Sequence, residues 1–308
     1  MFKGEKFWAY AALISVCFFW GTTYFGIRIA IEDLPPFFLS GFRHILAGGI
    51  LLSYFIFIKK EKIPPVAELK KIFIVGMLLI FISNTFLNMA EKHISTGLAA
   101  LLCAFFPFYV LVINLIMKNN EPLNGFSGSG LLIGFHGLLI IFYDKLGDLA
   151  NREYFTGIGL IVVGNLSWAI ATVYSKKAQI RTPPLYSSGL QMFMTGVVIL
   201  ITSIFLGELP DVHFTKNSVW AVSYLIVFGS IVGFSSFTYA VSKLPTTVVS
   251  IYAYVNPIVA VALGVLFLGE KNSSLTYLAM VITFAGVFLI NYGYQKSDLS
   301  KQARGKSN

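Results

Sequence analysis

Runs of apolar residues separated by short polar breaks divide the chain into ten segments, near residues 7–30, 36–58, 71–90, 95–117, 126–143, 155–177, 186–206, 219–241, 246–268 and 274–293. Each is close to the roughly 20 residues a helix needs to cross a hydrocarbon core about 30 Å thick. The breaks carry helix-stop signals, such as "KKEKIPP" after the second segment and "GELPD" after the seventh. Lipid offers no water to peptide groups, so segments of this length satisfy their own backbone only as helices. The pattern predicts an all-α integral membrane protein with ten transmembrane helices. The opening "MFKGEKFWAYAALISVCFFWG" starts like a signal sequence, but its apolar run is too long and no A-x-A site follows. It is expected to remain as the first span.

The polar punctuation repeats. "WGTTYFGIRIAIEDLPP" begins at Trp20, and "WAIATVYSKKAQIRTPP" begins at Trp168, 148 positions later. The same shift pairs Gly41 with Gly189 and Gly48 with Gly196. Shifts of 149 or 150 pair Pro107 with Pro257, Ala90 with Ala240, and Phe135, Gly137 and Tyr143 with Phe284, Gly286 and Tyr292. Spans one to five thus recur as spans six to ten. Five is odd, so the second copy enters the membrane from the opposite face. The expected architecture is two inverted five-helix repeats around a central cavity, residues 1–148 and 149–296, followed by a basic tail at 297–308. Inverted repeats suit alternating access, because the halves can exchange conformations and mirror the open side.

Composition sharpens the class. Hydrophobic residues make up 56% of the 308 and charged residues only 12%, too few to cover a water-soluble globule of this size. The net charge of +9 would suggest nucleic acid in a soluble chain, but here its placement matters more. With a cytoplasmic N-terminus, sixteen of the Lys and Arg residues fall on that side and six on the other, with Arg43 inside a span. That bias puts both termini in the cytoplasm and reads as a topology signal, with no nucleic-acid partner implied. The loops agree: "EDLPP" is acidic and external, "QIRTPP" basic and internal. Cys17 and Cys103 lie in apolar runs with no disulfide or metal spacing and read as small buried hydrophobes.

"FFWGTTYFGIRIA", "PPFFLSGFRHILAGGILL", a proline within the fourth and ninth spans, and "LFLGEKNSS" closing the ninth resemble the EamA-type drug/metabolite transporters. The resemblance covers about Trp8 to Tyr292. It implies a ten-helix basket around a central cavity, and export or exchange of amino acids, other metabolites or drugs. One departure is that the "LGE" at Glu270 is matched only by "NNE" at Glu121.

Polar groups inside spans are costly and face a cavity or a partner helix. Asn84 and Asn88 share one face of the third span, and Asn165, Trp168 and Thr172 one face of the sixth. Trp20, Thr23 and Tyr24 in the first span, Ser235 and Tyr239 in the eighth, and Tyr252 and Asn256 in the ninth complete the set. They are candidate substrate-binding residues, aromatic walls for an apolar body and amides for a polar head. Interhelical bonding is the other reading for the same side chains. Arg43 stays charged and costs at least about 2.5–3.5 kcal/mol at a helix centre. It either snorkels to the external face or meets a carboxylate or phosphate of the substrate. His44 and His136 either bond internally or pass protons. No Asp or Glu sits centrally in a span, Glu91 lying near the external end of the third, so a carboxylate relay is not expected. Facilitated diffusion, exchange and histidine-based coupling stay open. Pro107 and Pro257 should kink their spans and serve either as hinges or as fixed shape. Gly128, Gly130, Gly134 and Gly137 read as a packing seam.

The expected function is transmembrane transport of a small organic metabolite, amino-acid-like, or a drug, by alternating access, as efflux or exchange across a bacterial-type inner membrane. The expected partners are that solute and the lipid bilayer. A membrane-embedded enzyme is the alternative. Against it, His44, His93, His136 and His213 are scattered, no H-E-x-x-H or paired intramembrane aspartates occur, and no metal or cofactor is expected.

Overall fold

The computed structural model describes residues 3–117, 125–144, 152–244, 246–250 and 252–305. These form ten helical rods and no strand. In chain order they are α1 (Lys3–Ala30), α2 (Pro36–Ile58), α3 (Val66–Ala90), α4 (Thr96–Cys103 and Phe106–Ile116) and α5 (Gly125–Asp144). Then follow α6 (Arg152–Lys177), α7 (Pro184–Phe205), α8 (Lys216–Lys243), α9 (Thr246–Val249 and Tyr252–Leu268) and α10 (Ser274–Gly305). Among the described residues, seven of these are long and apolar enough to cross a membrane. Val255–Leu268 and Ser274–Ile290 are shorter apolar helices. Glu121, Lys118, Lys145, the side chain of Tyr143 and the expected boundary at 148 lie outside the described residues.

Helix starts follow the local sequence. Pro36 and Pro184 occupy the first helical position of α2 and α7, where a missing N–H costs nothing. The open N–H groups at the start of α2 go to a residue beyond the end of α7. The carboxylate of Glu208 accepts from Phe38 N at 2.8 Å, and from the Ser203 hydroxyl at 2.7 Å. Glu270, just past α9, does the same for α4, accepting from Thr96 N at 2.7 Å and Gly97 N at 3.1 Å. An anion at a helix N-terminus is favoured by the unsatisfied N–H groups and by the dipole.

Glycine sets the closest helix contacts. A Cβ on Gly41 would sit 2.7 Å from Leu200 N, one on Gly48 2.5 Å from Phe193 N, and one on Gly196 2.8 Å from Ile45 N. As the α2 number rises the α7 number falls, so the two helices run antiparallel at backbone contact. The seam on α5 works the same way against α10: Gly130 meets Gly286 and Ile290, and Gly137 meets Ala279 and Thr283. Gly128 faces open space.

Among the described residues three helices widen into π turns: α2 over Tyr54–Ile58, α3 over Met77–Asn84 and α8 over Leu225–Phe234, the last two with starts 148 positions apart. The prolines behave differently from each other. The α4 rod breaks at Ala104 and Phe105, and Pro107 sits at the start of the second piece; Pro257 lies inside the continuous piece Tyr252–Leu268. The helix boundaries around the two prolines therefore differ between the halves. The main apolar core gathers Trp168, Phe106, Phe234, Phe237 and Tyr252 around Ala169, Met192 and Ala240.

Candidate functional site

A cavity lies among α1, α2, α3, α4, α6, α8 and α9. Nine of the candidate residues line it: Trp20, Thr23, Tyr24, Arg43, Asn84, Asn165, Trp168, Tyr252 and Asn256. Asn88, Thr172, Ser235 and Tyr239 do not. Asn88 is fully buried, the Thr172 hydroxyl donates to Trp168 O one turn back at 2.8 Å, and Tyr239 packs on the main core.

The cavity has an aromatic base. Trp20 meets Trp168 edge to face at 5.3 Å between centroids, Tyr252 at 5.3 Å and Phe237 at 5.1 Å. Phe106 stacks on Tyr252. The Trp20 indole donates to Gly229 O at 3.0 Å, so the ring is fixed by α8 as well as by packing. Beyond Phe237 lies a second space, lined by Gln191, Ser187, Thr238 and Lys176 among others.

The polar wall is only partly satisfied from within. Arg43 is 3% exposed; its Nε donates to Ser230 Oγ at 2.7 Å, and Nη1 has no partner. Among the described residues no carboxylate pairs with it. The side chain does not snorkel outward; it borders the cavity with its guanidinium beside Gly229. Asn84 Oδ1 is likewise without a partner. Asn165 donates to Leu102 O at 2.9 Å, across to α4, and the Asn256 amide nitrogen can donate to Tyr252 O and Cys17 O. These two amides therefore bond between helices as well as facing the cavity. His44 is fully buried on Ser40 O at 2.7 Å and does not line the cavity, whereas His136 is exposed on the outside of α5. Cys17 and Cys103 are free thiols of intermediate burial, and Cys103 reaches the cavity.

Several lining residues carried no sequence signal. Ser83 lies in the π segment of α3, and Gly229 and Phe234 belong to that of α8. The extra residue per turn rotates these side chains relative to a regular helix, which a 3.6-residue period cannot anticipate. Phe106 enters because α4 restarts there, beside Pro107.

Apolar rods of membrane length around a cavity with an aromatic base and a part-satisfied polar wall define a multi-pass membrane protein. The EamA-like transporter family matches the chain twice, over residues 7–143 and 155–292, and the chain belongs to that family. It is 31% identical over 287 residues to the "Uncharacterized inner membrane transporter YedA" of Escherichia coli (strain K12), covering 92% of this chain and 90% of that one. It is 25% identical to the "Uncharacterized transporter YoaV" of Bacillus subtilis (strain 168), covering 92% and 97%. A WAT1-related chloroplastic protein of Arabidopsis thaliana is 26% identical, over 93% of this chain and 70% of its own. One solved protein structure superposes with a TM-score of 0.71 at 17% identity, over 94% of this chain and 98% of that one; this likeness concerns the fold alone.

Proposed function

We propose that the chain is a carrier for a small organic solute, amino-acid-like or drug-like, with an apolar or aromatic body and an anionic head. The observation that carries this reading is Arg43. A buried guanidinium with an unpartnered nitrogen, aimed at a cavity between aromatic faces, suits a carboxylate or phosphate supplied by the solute. Trp20, Trp168 and Tyr252 hold the body, and Asn84 offers a free acceptor to an ammonium or hydroxyl.

Movement is by alternating access, as efflux or exchange, with residues 1–148 and 149–296 as inverted halves and both termini in the cytoplasm. Three features support the inversion. Equivalent helices α2 and α7 cross antiparallel at glycine contacts, α5 and α10 do the same, and the π segments of α3 and α8 start one repeat apart. The aromatic cluster of Trp20, Trp168, Tyr252 and Phe237, with space on either side, would be the barrier that each solute passes.

Counterflow in liposomes is the test. Purified protein is first screened against metabolites for ligands that raise its apparent Tm, since binding to the folded form stabilises it. A hit should then exchange faster across vesicles bearing the wild-type chain than across empty ones, and Arg43→Gln should remove the acceleration. No acceleration for any stabilising ligand defeats the carrier reading.

A further inference from the structure

Glu91 is the residue immediately after α3, and its backbone N–H still donates to Leu87 O at 3.0 Å, so the helical path continues through it. Its side chain is 0% exposed, and neither carboxyl oxygen has a hydrogen-bond partner. It shares a helix face with Asn84 and Leu87, both lining the cavity, and stands one turn, about 6 Å, beyond Leu87. Two further cavity-lining residues, Tyr24 of α1 and Cys103 of α4, lie within its electrostatic reach.

The charged groups facing Glu91 are Arg28 from α1 and Glu270 from the segment after α9. From α6, Gly157 packs against Ala90, Ile94 and His93 at this corner. Arg28 would favour an ionised neighbour, yet its Nη1 donates to the main-chain carbonyl of Glu91 and leaves the carboxyl unbonded. Glu270 opposes a second negative charge, and its own carboxylate is committed to Thr96 and Gly97. A fully buried carboxylate without a donor is far costlier than the neutral acid.

We propose, resting on the carrier reading above, that Glu91 is a proton-binding site set one helical turn behind the solute cavity. In this conformation one carboxyl oxygen carries an O–H bond whose proton comes from bulk water. When the corner between α1, α3 and α4 opens, water reaches the carboxyl and the proton returns to it. Solute movement that opens this corner is thereby coupled to a proton.

The test compares apparent Tm of detergent-purified wild type and Glu91→Gln, a neutral isostere, between about pH 5 and pH 8. The unfolded chain ionises Glu91 in the ordinary carboxylate range while the folded chain keeps the proton, so wild type loses stability relative to the variant as pH rises. The variant's advantage should grow by about 3 °C or more between pH 5 and pH 8. An advantage that stays constant or shrinks means an ionised Glu91 in the folded chain, and overturns the proposal. Should Glu91→Gln yield no folded protein, infrared spectra of the native chain with isotope-labelled glutamate decide. A protonated-carboxyl stretch at pH 7 that persists in Glu270→Gln supports the site; its absence from the native chain overturns it. Both measurements read Glu91 whether or not any solute moves, so they fail separately from counterflow.

Discussion

Replacing Arg43 by Met separates a binding role from a structural one by the sign of its effect on stability. The guanidinium donates one described hydrogen bond, Nε to Ser230 Oγ at 2.7 Å, and Nη1 has none. Losing a hydrogen bond from a charged donor costs about 1.5–3 kcal/mol. Against that stands the desolvation of a cation with only 3% exposure and no described carboxylate partner, an effective penalty of several kcal/mol for a buried ion. Hydration from the cavity reduces the penalty, so the net gain on removing the charge is about 1–2 kcal/mol. Methionine fills most of the volume and leaves Ser230 free to rotate to a helix carbonyl. For a chain of this size the gain corresponds to about 2–4 °C in apparent Tm, measured by intrinsic fluorescence in detergent. The same variant should lose the Tm response to a ligand that stabilises wild type. A fall in Tm of 2 °C or more, with ligand response kept, would show that Arg43 braces the bundle and would refute the reasoning.

Other perturbations follow from the same contacts. Gly48→Ala drives a Cβ to 2.5 Å from Phe193 N and should cost about 1–3 kcal/mol in denaturant titrations, whereas Gly128→Ala, facing open space, should be neutral or slightly stabilising. Glu270→Ala strips two backbone donors of their acceptor and should cost about 2–3 kcal/mol, with faster hydrogen exchange at Thr96 and Gly97. An exchange rate there equal to wild type would remove Glu270 as the cap. Thr172→Val deletes only a bond to the preceding turn and should change stability by less than about 1 kcal/mol and leave ligand response intact.

Much of the architecture is written in the chain because lipid leaves few options. Apolar length fixes the rods, and the Pro-Pro pairs fix where α2 and α7 begin. Trp20 and Trp168, picked out by spacing alone, meet in space because α1 and α6 both border the cavity. What stayed hidden depends on local geometry or on distant partners. The π turns of α3 and α8 have no residue signature, so Ser83, Gly229 and Phe234 were not legible as lining. Glu91 looks like an ordinary residue at a span end, and only the packing of α1 and α4 around it shows full burial. From sequence, the side chains of Thr172 and Asn84 each read either as glue or as wall. One bonds its own helix, and the other points an unpartnered oxygen at the cavity.

Two-sided cysteine labelling addresses the inverted halves most directly. Glu32 and Arg181 are exposed, and they follow the equivalent helices α1 and α6. In intact cells a membrane-impermeant maleimide should modify Glu32→Cys, and should reach Arg181→Cys only after permeabilisation. Modification of both positions from the same face would contradict two halves threaded in opposite directions around one solute cavity.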